Sequence, residues 1–270
     1  MEKPQLPDFL QNITVVLART SHPSNIGSAA RAMKTMGLTN LCLVAPNLMA
    51  TPMTETPPEF DPQRPESFVL PEESYVLSSG AKDVLENARI VATLQDALAD
   101  TTLSCALTSR KRELTATMHT PRELCPNLVE AARRGEKVAL VFGNETFGLS
   151  IEEVMLCNRL MTINGNPNYF SLNLAQAVQV VCYELFSHVD VSMDYLRAEH
   201  EYATHEQVTG MVGHLQDAMD AVGFFERRPP ERLMRRMQSV FDRAQLEREE
   251  IDILRGFFRN IEKATASRAE

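Results

Sequence analysis

The sequence predicts an α/β fold, a parallel sheet with helices on both faces, followed by a small all-α extension. Three observations lead there. Short apolar runs rich in β-branched residues alternate with helical patterns up to about residue 188. Two of these runs, Val138–Phe142 and residues 160–163, pass straight into polar loops that contain glycine. Such loops, leaving the carboxyl ends of neighbouring strands, are where an open α/β sheet lines its ligand crevice. After about Val189 the pattern turns to helix alone.

Residues 12–18, NITVVLA, read as the first buried strand. The turn Arg19-Thr20-Ser21-His22-Pro23-Ser24 leads to a helix over residues 25–36. Gly37 closes it, a residue type suited to the left-handed position past a helix end. Ile26, Ala30, Met33 and Gly37 make one stripe toward the sheet. Gly27, Ser28, Ala29 and Ala30 are small enough for another backbone to come close. Arg31 lies about 140° round the helix from Ile26 at roughly 3.6 residues per turn. It shares a face with Ser28 and Thr35, where a guanidinium can clamp a phosphate or simply be solvated.

Residues 41–45 make the second strand. Residues 46–74 hold seven of the 15 prolines and several acids, and read as a long surface insertion, partly disordered, with no chemistry of its own. Order resumes with a helix over 80–87, a strand over 89–93, a short helix over 94–99 and the strand Leu103–Leu107. The following Thr108-Ser109-Arg110-Lys111-Arg112 joins hydroxyls to three successive cations, an anion site in principle. Residues 121–134 form a helix with proline in its first turn. Val138–Phe142 is the central strand, and Ser150 with Glu153 makes a capping box for a helix over 151–157. Residues 160–163 are the last strand. Ser171 is placed to cap a helix over 172–188 whose stripe is Leu174, Ala177, Val181 and Leu185.

The remainder is a linker, residues 191–203, and helices over 205–222, 230–244 and 245–264. Met211, Leu215, Ala218 and Val222 form one apolar stripe; Leu254, Phe257, Phe258 and Ile261 form another. The chain thus divides into a domain of residues 1–190, the linker, and a helical extension of residues 204–270.

Composition narrows the function. The net charge is −9, which argues weakly against nucleic-acid binding. The charge is uneven, however. Residues 227–270 carry 11 Lys and Arg against eight Asp and Glu, leaving 16 against 28 for residues 1–226. A basic tail suits contact with a polyanion, and a solvated helix pair or a dimerisation arm would look the same. No apolar run is long enough to span a membrane, and the first residues lack a signal core, so a cytoplasmic protein is expected. The five cysteines are scattered without a Cys-x-x-Cys pair, and the six histidines have no ligand spacing. Buried reduced thiols and no metal are the expectation. The dinucleotide Gly-x-Gly fingerprint, a P-loop and a Gly-x-Ser-x-Gly elbow are all missing.

Three loops together resemble the SPOUT RNA methyltransferases of the SpoU type, over about residues 12–188. The first motif is Asn25-x-Gly27-Ser28-x-x-Arg31 closing at Gly37. The second is Leu140-Val141-Phe142-Gly143-Asn144-Glu145-x-x-Gly148-Leu149. The third is Ile163-x-Gly165-Asn166, then Ser171-Leu172-Asn173-x-Ala175-x-Ala177. The stretch from Arg31 to Asn40 and the helical tail are closer to a branch that methylates tRNA. The proline-rich insertion departs from the compact linker usual in the family.

The resemblance implies a trefoil knot in the last third of the catalytic domain and an obligate homodimer. It implies S-adenosyl-L-methionine held by Thr108, Ser109, Arg110, Gly143, Glu145, Gly148, Ile163, Ser171, Leu172 and Asn173. The implied reaction is methyl transfer to a ribose 2′-oxygen of tRNA, a cytidine or uridine at anticodon-loop position 32. Arg31, Asn25 and Ser171 are the catalytic candidates. Arg31 is always charged at neutral pH and cannot act as an ordinary base, so phosphate clamping and stabilisation of the 2′-oxygen are its expected roles. Asn25 orients Arg31 or the hydroxyl, or else only caps its helix. Glu145 is expected to hold the cofactor loop through backbone amides. A methyltransferase of the same fold acting on another RNA nucleotide, a non-catalytic RNA binder and a small-molecule α/β enzyme remain open.

Overall fold

Strand β1 (Ile13–Ala18) sits between β2 (Asn40–Val44) and β6 (Val138–Phe142), paired in parallel with both. Four more strands complete the sheet: β3 (Arg89–Val91), β4 (Leu103–Leu107), β5 (Met118–His119) and β7 (Arg159–Met161). The computed structural model describes residues 5–109, 117–166, 168–169, 171–191, 201–225 and 230–269. The seven strands run in the order β3-β2-β1-β6-β4-β7-β5, and every neighbouring pair is parallel. Parallel sheets need cover on both faces, which explains the nearly unbroken apolar strands. Because side chains alternate, Val15 and Leu17 enter one core while Val16 and Ala18 enter the other.

On the larger side pack α1 (Pro23–Thr35), α2 (Glu72–Ser78), α3 (Lys82–Glu86), α5 (Pro121–Arg133) and α7 (Leu174–Phe186). On the other side Leu94 and Ala97 of α4 (Leu94–Leu98) and Val154 of α6 (Ile151–Met155) close the smaller core. α1 lies against α2 and α7. Its Gly27 is required there, because a Cβ would stand 2.1 Å from the Ser74 carbonyl oxygen.

The insertion differs from the expectation of a partly disordered segment. Residues 46–74 are ordered, and Leu48, Phe68 and Leu70 are buried in the main core. Thr51 and Thr54 hydroxyls donate to the buried Glu73 carboxylate, and Phe60 meets Phe68 edge to face at 5.9 Å. Apolar anchors among the prolines, not helical periodicity, hold this stretch to the domain. α2 and β5 are elements that sequence reasoning missed. The cap of α7 is also corrected: the helix begins at Leu174, and Asn173, not Ser171, accepts the Ala175 and Gln176 amides.

The chain divides into two compact units near residue 192. The second contains α8 (His205–Ala221), α9 (Glu231–Ala244) and α10 (Arg248–Ala269), around Val208, Met211, Val212, Ala218, Met234, Ile251 and Phe258. Val222 and Phe257, placed on the apolar stripes by their spacing, are instead exposed. Among the described residues, no helix is long and apolar enough to cross a membrane.

Candidate functional site

The strands β4, β6 and β7 end in Leu107, Phe142 and Met161, and these three residues floor a cavity of about 420 Å³. Its position at the carboxyl edge of a parallel sheet is where such folds place ligands. The walls come from the loops that follow each strand. Thr108 and Ser109 leave β4, Gly143 to Thr146 and Gly148 leave β6, and Ile163, Ser171 and Leu172 follow β7. Leu174 and Ala177 of α7 close the apolar side. The sequence reading put the second and third loops at neighbouring strand ends. That is corrected: β4 lies between β6 and β7, so the β4 loop sits in the middle of the cradle.

The loop after β6 folds back on itself. Gly148 has φ +68 and donates its amide to the Asn144 carbonyl at 2.8 Å. A Cβ on Gly143 would stand 2.2 Å from the Gly148 carbonyl carbon and from the Leu149 nitrogen, so only glycine fits. The Asn144 side chain accepts from the Thr146 and Phe147 amides and donates to the Arg19 carbonyl at 2.7 Å. Arg19 itself sits at φ +54, a backbone state costing a non-glycine residue about 1 kcal/mol or more.

Glu145 joins this loop to α1. Its Oε2 accepts from the Ser21 amide at 2.9 Å and the Ser21 hydroxyl at 2.8 Å. Its Oε1 accepts from the His22 amide at 3.2 Å and Asn25 Nδ2 at 2.9 Å. Asn25 Oδ1 in turn accepts from Asn173 Nδ2 at 2.9 Å. Burial pushes the Glu145 carboxyl up, but the bonds from Asn25 and Ser21 outweigh it and hold the group below the ordinary carboxylate value. The Ser21 and His22 amides that donate to Glu145 belong to the turn before α1.

Of the residues singled out from sequence, Thr108, Ser109, Gly143, Glu145, Gly148, Ile163, Ser171 and Leu172 line the cavity. Asn173 does not; it caps α7 and bonds to Asn25. Arg110, with Lys111 and Arg112, lies outside the described residues. Asn25 is buried and is the third residue of α1, so the capping alternative for it falls away. Arg31 is exposed, one helical turn and a half beyond Asn25 on α1, and does not line the cavity. Among the described residues nothing bonds to its guanidinium, which leaves it free to meet an anion. Sequence reasoning missed Ser21 and His22 as partners of Glu145, and the strand-final residues as the floor. The strand ends were the available signal for the floor; no local pattern marks the partners.

The five thiols are free, four buried and Cys157 half-buried. Burial pushes Cys157 up to about 11 and Cys125 up to about 12, so none of this pair is a thiolate nucleophile near neutrality. Among the described residues, no group of three or more His, Cys, Asp or Glu is placed to hold a metal ion.

This sheet and its three-loop cradle define a methylase of the SpoU class: the model of the SpoU rRNA Methylase family matches residues 63–183. The model described as tRNA methyltransferase TrmJ, C-terminal domain, matches residues 206–270. The tRNA (cytidine/uridine-2′-O-)-methyltransferase TrmJ of Escherichia coli K12 is 40% identical over 260 residues, 94% of this chain and 97% of that protein. Among solved structures, TrmJ from Z. mobilis ZM4 is 31% identical with a TM-score of 0.72, covering 92% of this chain and 98% of its own. A methylase family protein from Neisseria gonorrhoeae is 69% identical with a TM-score of 0.68, covering 79% of this chain and 98% of its own. The chain belongs to the TrmJ family of methyltransferases.

Proposed function

We propose that this protein is an S-adenosyl-L-methionine-dependent tRNA ribose 2′-O-methyltransferase acting on cytidine or uridine at anticodon-loop position 32. The observation that carries the reading is the cavity between the loops after β4, β6 and β7, two of them motif loops, tied through Glu145 and Asn25 to the helix that bears Arg31. TrmJ relatives that match nearly end to end add the substrate class.

The residues present fit the methyl donor. The cavity volume lies within the ~300–1,000 Å³ usual for small-ligand sites. Leu107, Phe142, Met161, Ile163 and Leu174 offer an apolar slot for a planar base, and Thr108, Ser109, Asn144 and Ser171 offer polar ends. When bound, the donor supplies a methyl group already activated by the sulfonium charge. The chain's own work is alignment and charge stabilisation. Holding acceptor and donor in line can contribute on the order of 7 kcal/mol in favourable models. Arg31 clamps the phosphate beside the target ribose and stabilises negative charge on the 2′-oxygen as its proton leaves. Asn25 and Asn173 hold the start of α1 against the loop on which Glu145 stands, fixing Arg31 relative to the cavity.

The same reading includes a trefoil-knotted path after β4, supported by the insertion of β7 between β4 and β5. It includes a homodimer in the cytoplasm. Tyr169, Tyr183 and Val180, exposed near the mouth loops and along α7, support a partner subunit at the site. In the helical unit, Arg232, Arg235, Arg236 and Arg243 are exposed on α9, and among the described residues no carboxylate pairs with them. That face suits RNA phosphates.

Calorimetry with S-adenosyl-L-methionine tests the reading. Saturable one-site binding is expected, weakened by Gly143→Ala. Absence of binding at millimolar donor overturns it.

A further inference from the structure

Arg19 makes a fork of bonds that the reaction as described does not use. Its Nε donates to Glu153 Oε1 at 2.9 Å, and one terminal nitrogen donates to Glu153 Oε2 at 2.6 Å. The same nitrogen reaches the carbonyl of Gly148 at 3.2 Å, and Gly148 lines the cavity. The Arg19 backbone is engaged as well. Its amide donates to the Val44 carbonyl at 2.8 Å, and its carbonyl accepts from Asn144. Glu153 also accepts from the Ser150 amide at 2.6 Å in the cap of α6. One residue at the end of β1 therefore grips both ends of the loop that runs from residue 144 to residue 153.

An ordinary surface ion pair contributes little to stability. This pair differs in three respects: it is bidentate, the Glu153 side chain is only 15% exposed, and its arginine holds a left-handed backbone state. We infer that Arg19 is a positioning residue for the methyl-donor site, a brace that keeps Gly148 and the Asn144–Thr146 backbone in the shape the donor requires. The inference rests on reading the cavity as that site. Lysine cannot replace the fork, since a single ammonium cannot engage both carboxylate oxygens and the Gly148 carbonyl in the same geometry.

Two measurements on the full chain test it. Amide hydrogen exchange of residues 143–150 in ligand-free protein reads the brace without any donor. Steady-state methylation of tRNA reads its consequence. Arg19→Ala should speed exchange in that loop and raise KM for S-adenosyl-L-methionine by about tenfold, with kcat at saturating donor and KM for tRNA within about twofold of wild type. Arg19→Lys should fall between the two. Unchanged exchange in Arg19→Ala overturns the brace, and faster exchange with unchanged donor KM overturns its role in donor binding. A wild-type protein whose loop is braced but which binds no donor overturns the proposed function instead.

Discussion

Asn25 donates to Glu145 at 2.9 Å while accepting from Asn173 at 2.9 Å, so one buried amide side chain couples all three motifs. The first motif bears Asn25, the second Glu145 and the third Asn173. Removing the buried Asn25 side chain leaves the half-buried Glu145 carboxylate short of a bond, which costs about 1–3 kcal/mol; the exposed Asn173 can turn to water instead. Asn25→Ala should lower the midpoint of thermal unfolding and depress methyl transfer together. Asn25→Asp should be worse, because it sets a second carboxylate against Glu145. Differential scanning calorimetry of both variants gives the order.

Glu145 makes stability depend on pH with a definite sign. Its folded value lies below the ordinary 4.5, so the unfolded chain takes up its proton more readily. The carboxylate therefore adds stability above about pH 4.5. That contribution fades as the pH falls through the folded value. In urea unfolding between about pH 6 and pH 3, the gap between wild type and Glu145→Gln should close on acidification. A constant gap would contradict the assignment.

Two glycines are required by contact and one is not. Gly27→Ala drives a Cβ to 2.1 Å from the Ser74 carbonyl, backbone against backbone, and should cost about 3 kcal/mol or more. Gly143→Ala meets the Gly148–Leu149 backbone at 2.2 Å and should weaken donor binding most. Gly165 has nothing within 4 Å, so Gly165→Ala should be close to neutral in the same denaturation and binding assays.

The thiols should be silent in the folded protein. With burial raising Cys157 to about 11 and Cys125 to about 12, alkylation near pH 8 should label neither quickly. Mass spectrometry after denaturation should count all five as reactive. Rapid labelling of Cys125 without unfolding would show that its core opens locally.

Much of the fold is legible because a doubly covered parallel sheet demands continuous apolar strands. β4 and β6 fall where their runs place them, and so do the three loops of the cradle. The misses have physical causes. α2 is seven residues long and follows a proline run, too short for a helical period to show. β5 has two residues. Ser171 and Asn173 are both cap types, two positions apart, and only the path of the chain selects Asn173. The partners of Glu145, Ser21 and His22, lie 124 and 123 residues away in sequence, and no local pattern encodes such a pairing. Arg31 was visible as an arginine on a face of small residues, but its exposure and unpaired guanidinium needed the packed helix.

The central claim is that Arg31, carried on α1 beside the cradle, acts on the ribose-phosphate backbone of tRNA. Nucleoside mass spectrometry of unmodified tRNA incubated with the protein and S-adenosyl-L-methionine tests it most directly. The account predicts 2′-O-methylcytidine or 2′-O-methyluridine at position 32 with wild type. It predicts none with Arg31→Ala, which should still bind the donor and unfold at the wild-type temperature. Methylation on a base, or full activity in Arg31→Ala, would contradict it.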